Sequence, residues 1–257
     1  MTPNTTSDAG LRPAIVSRKS GASGIVLVCE HASNHIPAKF AGLGVSEDVR
    51  QSHVAWDPGA LGVASRLSEV LDAALVAGGV SRLVYDCNRP PDAAGAMPTR
   101  SEVFDIPGNA SLSARDQAAR IAEVYAPFRA AITETLEATH ANVLITIHSF
   151  TPVYLGHPRG VQLGVLHDAD ARLADAILAR AAEHTTLKIE RNQPYGPQDG
   201  VTHTLKEHGV KRGVPNVMLE VRNDLIATSR DQVAIADMLA PWLQQAIAAT
   251  RAVEAQT

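Results

Sequence analysis

"IVLVCEHASNHIP" (Ile25–Pro37) begins with five apolar residues and then becomes polar at once. The apolar part predicts a strand over Gly24–Cys29 that is covered on both faces, because it lacks the alternation of a half-exposed strand. Glu30 and His31 follow this strand directly. A sheet whose strands are buried on both faces has helices on each side. The stretch therefore indicates an α/β fold that carries polar chemistry at a strand end.

Segments of this kind alternate with helical patterns along the rest of the chain. Five more short apolar runs predict strands over Ala74–Ala77, Arg82–Tyr85, Val143–Ile147, Val161–Leu166 and Val217–Val221. Helical patterns lie between them, over 58–73, 113–140, 170–184 and 229–253. Such alternation favours a parallel or mixed sheet between helical layers. We therefore expect a single three-layer α/β/α domain with a mostly parallel or mixed central sheet over 13–257, after a disordered N-terminus at 1–12.

Prolines and long loops mark local features of this arrangement. Asp57 followed by Pro58 is typical of an N-cap residue and the first position of a helix. Pro127 lies inside the predicted helix 113–140 and should kink or divide it, because proline has no amide hydrogen. Two irregular segments, 88–112 and 192–202, are longer than ordinary connections. Loops of that length are often functional.

The composition excludes several classes of protein. Hydrophobic residues make up 45% of the 257 residues and the net charge is −4, so a nucleic-acid partner is not expected. No apolar stretch approaches the roughly 20 residues that span a bilayer, so a membrane partner is not expected either. Cys29 and Cys87 show no metal-type or redox-type spacing. The sequence therefore predicts a cytoplasmic protein without disulfides.

Polar side chains follow several of the predicted strands. They are Glu30, His31 and Asn34, then Asp86, Asn88 and Arg89, then His148 and Ser149, and finally Glu220, Arg222 and Asp224, with His53 and Asp57 ahead of a helix. Ligand sites in open α/β sheets lie beyond the carboxyl ends of the strands. Ionisable groups at the ends of buried strands are unfavourable unless they are paired or bound to a metal. The set therefore predicts an active site at this edge.

The residue types point to metal-assisted hydrolysis. Two histidines and a carboxylate can bind zinc and leave a position for water. A further carboxylate can accept the proton of that water, and an arginine can neutralise an oxyanion. His31, His148 and Glu220 suit the first two roles, and Arg89 or Arg222 suits the third. No G-x-S-x-G, G-x-G-x-x-G or P-loop motif is present, and "HASNH" lacks the glutamate of H-E-x-x-H.

The chain resembles the N-formylglutamate amidohydrolases, a family that is itself similar to the zinc carboxypeptidases. The resemblance lies in "CEHASNHIP", "HVAWDPGALGVASRLS", "SRLVYDCNRPPD", "MPTRSE", "YAPFRAAI", "TIHSF" and "LEVRND", in that order from about Ile25 to Asp224. It implies a zinc-carboxypeptidase-like fold with one zinc ion per chain, or another divalent metal in its place. It also implies hydrolysis of a linear amide bond in a small N-acyl amino acid such as N-formylglutamate.

The resemblance also assigns roles to individual residues. It implies that His31 and His148 are zinc ligands and that Glu220 is the catalytic carboxylate. Asn88 and Arg89 correspond to an Asn-Arg pair that handles the substrate carboxylate and carbonyl. Asn34 stands where the carboxypeptidase pattern has a glutamate ligand. Asp57 is the candidate third ligand, and Glu30 and Asn34 are the alternatives.

The two long loops supply candidate substrate-binding residues. Arg100 in "MPTRSE" belongs to the shared pattern and could bind a substrate carboxylate in bidentate fashion, and Arg222 is an alternative. The segment "NQPYGPQDGVTHTLKEHG" carries Tyr195, His203 and His208 and is interpreted as a lid or pocket wall. His203 is the candidate for substrate contact from this segment.

Two other functions remain compatible with the sequence. A metallocarboxypeptidase would use the same chemistry on a C-terminal residue. A binding protein on the same scaffold could have lost the metal together with the carboxylate at the Asn34 position. "CEHASNHIP" also differs from the shorter P-H-S-G form of the first motif, which leaves the acyl group and the amino acid open. The oligomeric state is not predicted.

Overall fold

The computed structural model describes residues 11–254. Of the N-terminal segment predicted to be disordered, residues 1–10 lie outside this range, while Leu11 and Arg12 immediately precede the first strand. Within the described range, no helix combines the length and the apolar character needed to cross a membrane.

Eleven strands are present in the described part of the chain. They are β1 (Ala14–Ser17), β2 (Ile25–Cys29), β3 (Ala74–Gly78), β4 (Arg100–Ser101), β5 (Phe104–Asp105), β6 (Val143–Phe150), β7 (Val153–Tyr154), β8 (His157–Pro158), β9 (Leu163–Leu166), β10 (Ile189–Arg191) and β11 (Asn216–Arg222). Seven of them form the central sheet in the order β1-β3-β2-β6-β11-β9-β10, and β4–β5 and β7–β8 are separate hairpins.

Four neighbouring strands of the sheet, β3, β2, β6 and β11, are mutually parallel. β1 is antiparallel to β3 at one edge, and β9 is antiparallel to β11 near the other. The carboxyl ends of the four parallel strands therefore meet along one edge. The sheet is mostly parallel but mixed, as the sequence predicts.

The predicted strand over Arg82–Tyr85 is wrong. These residues form turns in which the amide of Val84 donates to the carbonyl of Ser81. Leu83, Val84 and Tyr85 are nevertheless buried, since they pack against one face of the sheet. An apolar segment that packs on the face of a sheet can have the same composition as a strand inside the sheet, so the sequence does not distinguish the two. The short edge strands β1 and β10 carry no such run and are not predicted.

The helices cover both faces of the sheet. They are α1 (Glu47–Gln51), α2 (Ala60–Leu71), α3 (Ala114–Arg120), α4 (Ala126–Ala138), α5 (Arg172–Ala179), α6 (Ala181–His184) and α7 (Ser229–Glu254). One buried cluster joins one face of the sheet to α2, α5 and α7, and a second joins the other face to α4. This architecture confirms the predicted three-layer α/β/α class.

Two predicted details of the helices need correction or refinement. Asp57 is not the N-cap residue of α2, because the helix begins at Ala60 and Gly59 occupies the cap position with a left-handed φ of 83°. The predicted helix around Pro127 is not divided, since helical backbone runs without a break from Ala114 to Ala138. A π-helical turn over Ile121–Tyr125 connects α3 to α4, so the missing amide hydrogen of Pro127 falls in the first turn after this bulge.

His208 makes stability depend on pH. It lies in the π-helical turn Leu205–Gly209 and is 3% exposed. Burial lowers its pKa to about 4, although the negative charge of Glu207 acts in the opposite direction. The folded state therefore binds this proton less readily than the unfolded state. The contribution of His208 to the free energy of unfolding is fully present above its ordinary pKa of about 6.5. It decreases as the pH falls from there toward 4.

We expect wild-type protein to lose about 2 kcal/mol more unfolding free energy between pH 7 and pH 5 than His208→Gln. Urea titrations at the two pH values measure this difference. His157→Gln removes an exposed histidine and should behave as wild type. Equal losses in wild type and His208→Gln would mean that His208 does not titrate in this way.

Candidate active site

The polar residues that the sequence predicts at strand ends come together at the carboxyl edge of the parallel strands. His31 follows β2, while His148 and Glu220 lie near the carboxyl ends of β6 and β11. Glu220 and His148 are register partners across the parallel ladder between those strands. The backbone of the sheet therefore sets the spacing between these two side chains.

His31, Asp57 and His148 form a compact group that could hold a metal ion. Their candidate ligand atoms all lie within 4.8 Å of one another. Nδ1 of His148 is 2.8 Å from Oδ2 of Asp57, and Nδ1 of His31 is 3.4 Å from the same oxygen. In the described structure Nδ1 of His31 is buried without a hydrogen-bond partner. Two ring nitrogens that converge on one carboxylate oxygen fit a divalent cation.

The opposite ring nitrogens of both histidines face other carboxylates. Nε2 of His31 is 2.7 Å from Oδ1 of Asp86 in a hydrogen bond, whereas Nε2 of His148 is 3.0 Å from Oε2 of Glu30 without hydrogen-bond geometry between described atoms. Glu30 and Asp57 thus contact different nitrogens of His148. Carboxylates in this outer position orient the imidazole of metal-binding histidines and fix which nitrogen carries the proton. The group of candidate metal ligands therefore contains Asp57, which faces Nδ1 of both histidines, and does not contain Glu30.

Arg82 connects the carboxylates of this cluster. Its guanidinium donates to Oδ2 of Asp86 at 2.8 Å and approaches Oδ1 of Asp57 at 3.4 Å. Burial alone would raise the pKa of Asp86, but the charges of Arg82 and His31 hold it well below its usual range. Sequence reasoning misses Arg82, because its segment resembles a strand. The only signal is a charged residue within an apolar run.

Glu220 is a buried carboxylate beside the metal-ligand group. It is 5% exposed, and within the described residues its Oε2 atom has no hydrogen-bond partner. Burial raises its pKa to about 7, while the nearby His148 opposes this change. A carboxyl group with that pKa can both accept and release a proton near neutral pH.

A cavity of about 400 Å³ opens onto this cluster. Its lining includes Asp57, His148 and Glu220, together with Arg82, Arg89 and Tyr195. His53 contributes to the wall and pairs with Glu102, their nearest atoms lying 2.7 Å apart. The cavity is therefore rich in charged groups and large enough for a small amino-acid derivative.

The structure places the predicted substrate-binding arginines in two different settings. Arg89 and Arg100 line the cavity. Arg89 donates to the carbonyl of Asp199 at 2.6 Å, and Arg100 forms an ion pair with Asp105 on an exposed hairpin. Arg222 lies outside the lining set and pairs with Asp224 at 2.8 Å.

Asn88 and His203 do not line the cavity. Both make hydrogen bonds that hold the second long loop (192–202) and the residues that follow it. Asn88 is 3% exposed, and its side-chain oxygen accepts from the amide of Thr204 at 3.0 Å while its amide group donates to the carbonyl of Val201. His203 lies 2.8 Å from the hydroxyl of Tyr125 through Nε2. Both residues therefore connect the second loop to the rest of the fold.

A mixed α/β sheet that carries a buried His-Asp-His group and a neighbouring carboxylate at its carboxyl edge is typical of a hydrolase. Over residues 23–227 the chain matches the N-formylglutamate amidohydrolase family. The chain belongs to that family, which confirms the resemblance seen in its motifs.

Two solved structures are similar over nearly the whole chain. Gene product Atu2144 from Agrobacterium tumefaciens is 50% identical, with 93% of this chain and 96% of that chain covered and a TM-score of 0.89. The N-formylglutamate amidohydrolase from Ralstonia eutropha JMP134 is 20% identical, with 90% and 98% covered and a TM-score of 0.59. The second likeness supports the fold alone. No curated protein matches the chain.

Proposed function

We propose that this protein is a zinc-dependent amidohydrolase that removes a formyl or related acyl group from an N-acyl amino acid. The observation that carries the proposal is the buried group of His31, Asp57 and His148, of which Asp57 and His148 line a charged cavity together with Glu220. Family membership supports hydrolysis of an amide. The metal identity and the substrate are the parts that the proposal adds.

His31, Asp57 and His148 would hold the metal. Two imidazoles and one carboxylate are a donor set that suits zinc, and three protein ligands leave a position open. Bound there, a divalent metal would supply Lewis acidity to water and to an amide carbonyl. Asp86 and Glu30 would keep the two imidazoles oriented through their outer nitrogens.

Glu220 and Arg89 carry the remaining chemistry in this proposal. Glu220 accepts the proton of the attacking water and passes it to the leaving nitrogen, for which a pKa of about 7 is well placed. Arg89 lines the same cavity and stabilises negative charge on the former carbonyl oxygen. The products are formate, or the corresponding acid, and the free amino acid.

The proposal also assigns substrate-binding residues around the cavity. Arg100 on the β4–β5 hairpin, or Arg222 at the end of β11, binds a substrate carboxylate in exchange for its partner in the structure, Asp105 or Asp224. Asn88 and His203 keep the second loop in place as a wall of the site. The partner is a small molecule, with neither nucleic acid nor membrane involved. We place the protein in the cytoplasm, where buried free thiols such as Cys29 and Cys87 persist.

Glu30 offers a test of the metal site that does not depend on activity. We expect Glu30→Gln to weaken zinc affinity by about 10- to 100-fold, because the neutral amide orients His148 without raising its basicity. Competition titration with a chromophoric chelator measures this affinity. Glu47→Gln removes an exposed glutamate on α1 and should leave the affinity unchanged. Complete loss of zinc in Glu30→Gln would make Glu30 a ligand and overturn the role given to Asp57.

Release of formate from a panel of N-formyl-L-amino acids tests the function. Zinc-loaded protein should turn over at least one member, and removal of the metal by a chelator should abolish turnover that added zinc restores. Parallel assays with C-terminal dipeptides address the carboxypeptidase alternative. Binding of N-formyl amino acids without turnover, and unaffected by chelator, would favour a binding protein and contradict the proposal.

A further inference from the structure

Arg159 lies just outside the cavity lining and packs against three aromatic rings that do line the cavity. It follows the β7–β8 hairpin, and its Cζ atom lies 4.4 Å from the ring centroid of Tyr154, 4.8 Å from that of Tyr195 and 5.6 Å from that of Phe150. All three rings line the same cavity as Asp57, His148 and Glu220. The cation is therefore positioned by cation–π contacts from two separate segments.

The hydrogen-bonding capacity of this guanidinium is largely unused. A guanidinium has five N–H donors in one plane. Arg159 donates one long hydrogen bond to the carbonyl of Thr151 at 3.5 Å and lies beside the hydroxyl of Tyr195. Throughout residues 11–254, no carboxylate lies within ion-pair distance of it. Ring contacts engage a guanidinium without neutralising it, so its charge and donors remain available for a ligand.

Most other arginines near the cavity already have a carboxylate partner. The pairs are Arg82 with Asp86, Arg100 with Asp105, and Arg222 with Asp224. Arg89 lies 3.9 Å from Asp86, close to the metal-ligand group, and donates to a backbone carbonyl. A substrate carboxylate that binds to a neutralised arginine must compete with a resident partner. Arg159 imposes no such competition.

We propose that Arg159 is a specificity-determining residue that binds a carboxylate of the substrate. This inference rests on the proposed function, since it requires a substrate that carries a carboxylate besides the reacting amide. The aromatic rings hold the position of the guanidinium before binding, which reduces the entropy lost on binding. A planar guanidinium matches a carboxylate with two parallel hydrogen bonds, a geometry that a lysine does not provide.

Three probes and two variants separate this role from a structural one. The probes are N-formyl-L-glutamate, its side-chain amide N-formyl-L-glutamine, and its α-amide N-formyl-L-isoglutamine. Arg159→Met keeps the chain length against the rings but removes charge and donors, and Arg159→Lys keeps the charge alone. Arg66→Met is a matched control, because Arg66 pairs with Asp237 between helices α2 and α7. Formate release gives kcat and KM, and zinc content and thermal unfolding are recorded in parallel.

We expect Arg159→Met to raise KM for N-formyl-L-glutamate by about 10- to 100-fold, with kcat less affected and zinc content unchanged. The amide that lacks the carboxylate bound by Arg159 should show the same KM in wild type and variant, and Arg159→Lys should recover part of the loss. Equal changes for all three probes would assign Arg159 a structural role and overturn the proposal. A selective loss in Arg100→Met or Arg222→Met, and not in Arg159→Met, would overturn it as well.

Failure of the proposed function gives a different result. If wild-type protein hydrolyses none of the three probes, calorimetric binding of the same probes to wild type and Arg159→Met provides the test. Weaker binding of N-formyl-L-glutamate and of one amide only would support the role of Arg159 without catalysis. Identical binding by both proteins, or no binding by either, would overturn it.

Discussion

Purified His148→Ala is expected to contain less than about a tenth of the zinc found in wild-type protein, which should carry about one ion per chain. His148 contributes one of the two imidazole nitrogens that face Asp57. Without it, one imidazole and one carboxylate remain, and two protein ligands rarely retain zinc against dilution and dialysis. Elemental analysis of both proteins after zinc reconstitution and extensive dialysis measures the difference.

The matched control for this experiment is His157→Ala. His157 is exposed on the β7–β8 hairpin, and it belongs to no group of potential metal ligands among residues 11–254. Circular dichroism of all three proteins should show that the fold survives, although His148→Ala removes a buried side chain. If wild-type protein contains no zinc after reconstitution, the proposed metal-dependent mechanism is contradicted. A His148→Ala protein with full zinc content would require a different set of ligands.

Glu220→Gln is expected to lower kcat by about 10²- to 10⁴-fold while the zinc content stays at the wild-type level. The amide has the shape of the carboxyl group but cannot accept the proton of the attacking water. KM should change much less than kcat, because the substrate contacts proposed for the arginines are unaffected. Formate release at saturating substrate provides the rate, and elemental analysis provides the metal content of the same sample.

Glu137→Gln is the control for Glu220→Gln, since Glu137 is an exposed residue of α4. It should retain wild-type kcat. A Glu220→Gln protein that loses zinc together with activity would indicate that Glu220 is a ligand. One that keeps both zinc and kcat would show that another group accepts the proton.

The sheet can be predicted because its central strands are buried on both faces. β2, β3, β6 and β11 each consist of a nearly continuous apolar run, and such runs have few alternative interpretations. The edge strand β1 alternates between half-buried and exposed positions over only four residues, so it carries little signal. The turn at Arg82–Tyr85 resembles a strand in sequence. Its apolar residues are buried because they pack on the face of the sheet, and a sequence pattern does not distinguish this from burial as a hydrogen-bonded strand.

The sequence predicts which residues belong to the candidate site but not how their side chains are arranged. His31, His148 and Glu220 follow or end buried strands, and ionisable groups rarely occupy such positions without a function. The orientation of their side chains is not accessible from sequence. The sequence cannot separate Asp57 from Glu30, since the distinction depends on which nitrogen of His148 each carboxylate contacts. Arg159 gives no signal, because its aromatic neighbours come from two segments that are distant in sequence, Phe150–Tyr154 and Tyr195.

The register between β6 and β11 has a consequence for how such a site can diverge. His148 and Glu220 occupy facing positions on adjacent strands, about 4.8 Å apart across the ladder, and backbone hydrogen bonds fix that separation. Most of the side chains proposed to select a substrate, such as Arg89, Arg100 and Arg159, lie instead on loops and hairpins beyond the sheet. Under the proposed function, insertions or substitutions in those loops can therefore change the substrate without disturbing the alignment of Glu220 with His148. Substrate preference and the proposed chemistry would then evolve separately on this scaffold.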